Sequence, residues 1–143
     1  MISFSCPSRG RPELAKRLVD TAESTATHEI QILFYLNDDD PKLPQYKDLL
    51  KEKYYTVGPN QSTCLSWNQM AEKAKFDIVM LMGDDVQVQT QDWDQIIKEQ
   101  FDQYVDKILM VVPSDGRWKG TLRFKEDNPI LWGDSVLPAA HFA

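Results

Sequence analysis

Two kinds of hydrophobic pattern alternate along the chain. Residues 1–6 are a short apolar segment, broken by Pro7-Ser8-Arg9-Gly10-Arg11-Pro12. From Glu13 onward, Leu14, Ala15, Leu18, Val19 and Ala22 recur at three- and four-residue spacing, which places them on one face of a helix. Pro12 suits the first turn of that helix, where its missing N–H is not needed. Residues 29–36 read as a second strand, with Ile30, Ile32 and Phe34 alternating, and Asn37-Asp38-Asp39-Asp40-Pro41 ends it. A short helix at 46–53 follows, then a third strand at 54–57 closed by Gly58-Pro59-Asn60. Trp67, Met70, Ala71 and Ala74 have the spacing of a third helix's apolar face. Residues 77–82 are a continuous apolar strand, the type buried on both faces of a parallel sheet, and Gly83-Asp84-Asp85 ends it. Trp93, Ile97, Phe101 and Tyr104 mark a fourth helix and residues 108–112 a fifth strand, with short strands expected at 122–124 and 130–132.

Such alternation predicts an α/β fold: a mostly parallel sheet, helices on both faces, right-handed crossovers between neighbouring strands. In a parallel sheet every strand ends at the same edge, and ligands bind there. The clusters at 8–11, 37–40, 58–60, 83–85 and 114–117 all follow strands, so the topology predicts that they share one rim.

Composition narrows the classes. With 143 residues, 42% hydrophobic and 27% charged, the chain is expected to form one globular domain over 1–143, and global disorder is excluded. No apolar run reaches the ~18 residues of a membrane span, and the apolar start at Ile2 lacks the basic flank of a secretory signal. Two cysteines, Cys6 and Cys64, are too few for a disulfide framework or a thiolate zinc site; both are expected to be small buried hydrophobes. The cytoplasm is the expected compartment. A net charge of −6 argues against non-specific nucleic-acid binding.

The candidate chemistry sits in the strand-end clusters. Adjacent carboxylates at Asp84 and Asp85 repel each other unless a divalent cation or a turn accommodates them, and Mg²⁺ or Mn²⁺ commonly takes one or two carboxylates together with substrate phosphates. Arg9 and Arg11 flank Gly10 before a helix N-terminus, which suits either an anion site or two surface arginines. That loop has neither the Gly-Lys-Ser/Thr of a phosphate-binding P-loop nor the three-glycine dinucleotide fingerprint. The Asn37–Asp40 turn could accept hydrogen bonds from a base or ribose, or stand as a solvated acidic turn. Trp67, Met70, Phe101 and Tyr104 are expected in the core and His28 on the surface.

The stretches SFSCPSRGRPELAKRLVDT, ILFYLNDDDP and GPNQSTCLSWNQMAEKAKFDIVMLMGDDV, in this order, resemble the GT-A-fold nucleotide-diphospho-sugar transferases, most closely family-2-type glycosyltransferases of the small phage and bacterial kind. The resemblance covers residues 2–112. It implies a nucleotide-sugar-binding half at 1–112 and the start of an acceptor half at 113–143. It implies that Pro7, Ser8, Arg9, Arg11 and Asn37 hold the nucleoside and diphosphate, with Asp38 or Asp39 in the place of the base-contacting acid. Asn68 matches a recurrent helix asparagine, and Gly83-Asp84-Asp85 stands where an Asp-x-Asp motif belongs, with Asp84 toward the ribose and Asp85 on the metal. The first acid of a strict motif is replaced by Met82. Asp134, in LWGDSV, is assigned the role of catalytic base.

The implied activity is divalent-metal-assisted transfer of a sugar from a nucleotide sugar, a UDP-sugar, to an unidentified acceptor; nucleotidyl transfer and a non-catalytic nucleotide-binding module are the alternatives. Domains of this type run on for another ~50–100 residues. The chain as given is therefore expected to bind a donor yet transfer it poorly, and to self-associate through apolar residues 136–143.

Overall fold

Four strands and four α-helices alternate along residues 1–105, the residues described by a computed structural model of the chain. They are β1 (Ile2–Ser8), α1 (Pro12–Thr25), β2 (Ile30–Asn37), α2 (Leu43–Leu49), a 3-10 turn (Glu52–Tyr54), β3 (Tyr55–Gly58), α3 (Thr63–Ala71), β4 (Ile78–Leu81) and α4 (Trp93–Asp102). The expected strand at 108–112, the cluster at 114–117, the short strands at 122–124 and 130–132, the apolar stretch at 136–143, and Asp134 lie outside the described residues.

The sheet order is β3-β2-β1-β4 and every pairing is parallel. The register aligns Ile2 with both Ile30 and Ile78, and Phe34 with Tyr55. Alternation then sorts side chains onto two faces. Ile2, Phe4 and Cys6 share one face with Ile32, Phe34 and Leu36, and the α1 stripe Ala15, Leu18, Val19, Ala22 packs on it together with Tyr46 of α2 and Trp93 and Ile97 of α4. Phe4 and Trp93 stack with ring centroids 5.0 Å apart, and the buried indole N–H of Trp93 donates to the Ala22 carbonyl at 3.3 Å. Leu33 and Tyr35 face the other way, against Met70 of α3. Helices therefore cover both faces, as the alternation predicts.

Three local expectations change. The second helix is Leu43–Leu49, earlier than the expected 46–53, because Leu50 is extended and Glu52–Tyr54 forms a separate turn. Strand β4 is not buried on both faces among the described residues: Val79 and Leu81 are exposed. They share a face with Ser3 and Ser5, and α3 crosses that face over β1 and β2, where Ser5 Oγ donates to the Trp67 carbonyl at 3.1 Å. For the same reason Trp67 is only half-buried, while Cys64 and Tyr104 are exposed outside the core. Cys6, by contrast, is fully buried, and that burial, with Asp84 nearby, pushes its thiol up and keeps it neutral. No helix among the described residues is long and apolar enough to cross a membrane.

Helix α4 is tied to the α1–β2 connection by one buried carboxylate. Asp94 accepts the backbone N–H groups of Thr27 and His28 at 2.8 and 2.9 Å and contacts His28 Nδ1 at 2.9 Å. Its neighbour Asp92 adopts a left-handed conformation (φ 57°), and its N–H donates to the Thr25 carbonyl at 2.8 Å. Burial raises the Asp94 carboxyl, but these hydrogen bonds outweigh it and hold the group below its ordinary value. A depressed folded value means that Asp94 contributes stability above the ordinary carboxylate value and loses it as the pH falls through the depressed one. Urea unfolding across acidic pH tests this: Asp94→Asn is expected to be less stable than wild type by roughly 1–3 kcal/mol at neutral pH. The gap should close on acidification; a gap independent of pH contradicts the assignment.

Candidate functional site

Parallel pairing brings the C-terminal ends of all four strands to one rim, and side chains there lock the loops together. From the β1–α1 loop, Arg9 forms an exposed ion pair with Asp39 of the β2–α2 loop. Asp39 also accepts from Asn60 Nδ2 at 3.2 Å, and Asn60 Oδ1 accepts from Asn37 at 3.1 Å, which joins the β3–α3 loop. The Asp38 N–H donates to the Gly58 carbonyl at 2.8 Å. Gly10 sits at φ +72°, a conformation open to glycine, and its N–H donates to Asp40 at 2.7 Å. The hydrogen bond from Arg9, foremost, and that from Asn60 hold the Asp39 carboxyl below its ordinary value.

The fourth loop is tied in through a carboxylate with no exposed surface. Asp84, directly after β4, accepts Ser8 Oγ at 2.5 Å and Arg11 Nε at 3.2 Å on Oδ2. Arg11 Nη2 lies 2.5 Å from Oδ1, so the guanidinium meets both oxygens of the carboxylate. Tyr46, buried on α2, completes the frame: its phenol oxygen accepts the Arg11 backbone N–H at 2.9 Å and lies 2.6 Å from Ser8 Oγ. Since a serine hydroxyl carries one proton and Ser8 gives it to Asp84, the phenol proton goes to Ser8. Burial pushes the Asp84 carboxyl up, with Asp85 adding, against the opposing pull of Ser8 and Arg11. Burial likewise raises Tyr46.

Asp85 is the outward-facing member of the pair. Its carboxylate is 65% exposed and 4.0 Å from Arg11 Nη1, and Arg17 of α1 donates to its backbone carbonyl at 3.0 Å. A Cβ at Gly83 would lie 2.6 Å from Asp85 Oδ1, so glycine lets that carboxylate fold back over the strand end. Among the described residues no three His, Cys, Asp or Glu side chains gather as a ready-made cation cage. The donor set fits a different kind of site: one exposed carboxylate beside a buried one held by Arg11, leaving most ligand positions to phosphate and water, as Mg²⁺ prefers.

The structure thus brings Ser8, Arg9, Arg11, Asn37, Asp38, Asp39, Asp84 and Asp85 to one rim. Pro7 is half-buried one residue before Ser8, and Asp38 is exposed, its carboxylate without a hydrogen-bond partner among the described residues. Asn68 is exposed on α3, and no hydrogen bond joins its side chain to the rim. Tyr46 and Arg17 belong to the site without having been singled out in the sequence, whereas Asp40 and Asn60 lay within clusters expected on the rim. Tyr46 carried a signal: it is the lone aromatic of a seven-residue helix, and a buried phenol requires a partner.

No family model and no curated protein matches the sequence. Among solved structures, the fold is similar to that of S. aureus TarS 1–349 in complex with UDP, with a TM-score of 0.52 and 12% sequence identity. The match covers 68% of this chain and 32% of that one, so it spans about a third of its neighbour's length and the likeness concerns the fold.

Tyr46→Phe tests the frame. It removes the acceptor of the Arg11 N–H and the donor to Ser8, and is expected to lower stability by roughly 1–3 kcal/mol. The urea midpoint should fall with the slope unchanged; an unmoved midpoint contradicts the arrangement.

Proposed function

We propose that the rim binds a nucleoside diphosphate and that the protein transfers a sugar from a nucleotide sugar, a UDP-sugar, to an acceptor hydroxyl. The observation that carries this reading is the interlocked rim itself: four strand-end loops meet at the edge where such sheets take ligands, three presenting guanidinium groups or carboxylates and the fourth the Asn60 amide. The similarity in fold to a UDP-bound protein supports it, as does the resemblance of residues 2–112 to family-2-type glycosyltransferases.

The chemistry follows from charge. Breaking the sugar–phosphate bond leaves negative charge on the departing diphosphate, and preorganised donors at that point lower the barrier. Arg9 and Arg11 are half-exposed; each is paired with an aspartate, and each guanidinium keeps outward N–H groups that can make charge-assisted hydrogen bonds to phosphate oxygens. The rim also holds five carboxylates, at residues 38, 39, 40, 84 and 85, and this excess of negative charge opposes a diphosphate unless a cation joins it. Asp85, with the Asp84 Oδ1 edge beside it, is the residue that would hold Mn²⁺ or Mg²⁺, which when bound supplies Lewis-acid neutralisation of the leaving group. Asp39 is already engaged by Arg9 and Asn60, so the free Asp38 carboxylate takes the base or ribose contact. Asp134 is the candidate base for the acceptor hydroxyl.

Calorimetry with UDP separates these roles. Asp85→Asn is expected to abolish the Mn²⁺-dependent part of UDP affinity and leave the metal-free part. Asp38→Ala should weaken binding about tenfold with or without Mn²⁺, the size of one lost charge-assisted hydrogen bond. Identical responses of both variants to metal overturn the assignment. Product analysis tests the reaction class: free nucleoside diphosphate marks glycosyl transfer, and pyrophosphate marks nucleotidyl transfer.

A further inference from the structure

The Arg11 guanidinium occupies an unusual place for a phosphate-binding group. Two of its nitrogens engage the buried Asp84 carboxylate, Nε at 3.2 Å and Nη2 at 2.5 Å, and the third, Nη1, stands 4.0 Å from Asp85. The fork therefore spans both carboxylates of the Gly83-Asp84-Asp85 turn. It is held there by its own backbone, since the Arg11 N–H is anchored on Tyr46 and the Arg11 carbonyl accepts the Leu14 and Ala15 N–H groups of α1 at 3.1 Å. The Asp84 oxygen that Nη2 meets is fully buried. That oxygen and the Asp85 carboxylate are the two donors a divalent cation would use, and the guanidinium already faces both.

We propose that Arg11 stands, toward Asp84 and Asp85, in the place of a divalent cation, so that guanidinium and cation compete for the same two carboxylates. Placing both in contact with this pair sets like charges within a few ångströms of each other, where repulsion is strong even at the dielectric of a protein surface. A bare cation is therefore held weakly while Arg11 remains on Asp84. A diphosphate changes the balance, because its oxygens give the displaced guanidinium a second bidentate partner while they ligate the cation. Arg11 thus acts as a gate of charge: it opposes metal alone and supports metal together with nucleotide. The first half of this proposal needs only the cation; the second half rests on the nucleotide reading above.

The test begins with Mn²⁺ alone, followed by electron paramagnetic resonance of the free ion. Arg11→Gln is expected to bind Mn²⁺ about tenfold more tightly than wild type, the effect of removing one nearby like charge. Arg11→Lys, which keeps the charge, should bind it no more tightly than wild type. Arg17→Gln removes a cation that faces only the Asp85 carbonyl and should change affinity less than Arg11→Gln. Unchanged Mn²⁺ affinity in Arg11→Gln, or an equal gain in Arg17→Gln, overturns the proposal. In the second arm UDP is added with Mn²⁺, and the sign should reverse, with Arg11→Gln now binding about tenfold more weakly. If wild type binds no UDP under any condition, the nucleotide reading fails while the Mn²⁺ arm still decides the competition. Should Arg11→Gln not fold, wild type provides the readout. Mg²⁺ titration is expected to move the Arg11 Nε–H resonance away from its Asp84-bonded position, and a resonance that stays put overturns the competition.

Discussion

Everything at the rim depends on the placement of one carboxylate, Asp84, out of water. Burying an ionised group without compensation is prohibitive, so the surrounding chain must supply partners or the group must neutralise. Here the partners come from two elements distant in sequence: Ser8 at the end of β1 and Arg11 at the start of α1, with Tyr46 of α2 supporting both. The same contacts that compensate Asp84 fix where the first loop runs. Asp84 in this arrangement fixes the first loop from below, while Asp85 beside it faces outward.

A second layer of pairing works closer to solvent. Arg9, Asp39, Asn60 and Asn37 form a chain of polar contacts across three strand ends, all partly or fully exposed except Asn37. Exposed pairs of this kind contribute little to stability. Their consequence is geometric, since they join the β1, β2 and β3 loops and leave the Asp38 carboxylate without a hydrogen-bond partner among the described residues. The core beneath the rim is conventional, with the Phe4–Trp93 stack and the α1 stripe setting the sheet against its helices.

The sequence carried the architecture well, because period-two and period-3.6 patterns are local properties. The parallel order predicts that the strand-end clusters share one edge, and the four among the described residues, three of them charged, lie there. What it did not carry was the pairing within the edge. Arg9 and Arg11 read alike in the sequence, yet one meets an exposed aspartate and the other a buried one, a difference set by the register that brings the end of β4 beside the end of β1. Asp84 and Asp85 also read alike, and only the turn at Gly83 decides which of them faces inward. Burial misled at β4 and at Trp67, because an apolar run reports the capacity to be buried, and the cover over a strand comes from elements elsewhere in the chain.

The account stands or falls on whether the rim receives a nucleoside diphosphate, and backbone amide NMR during a UDP titration reads that residue by residue. The rim account predicts that shifts concentrate at Gly10, Arg11, Asp38, Asp40, Gly58, Asn60, Gly83 and Asp85, with the opposite edge of the sheet, at Ile2, Ile30 and Ile78, unmoved. Shifts centred on that opposite edge, or none at millimolar UDP with Mg²⁺ present, would contradict it.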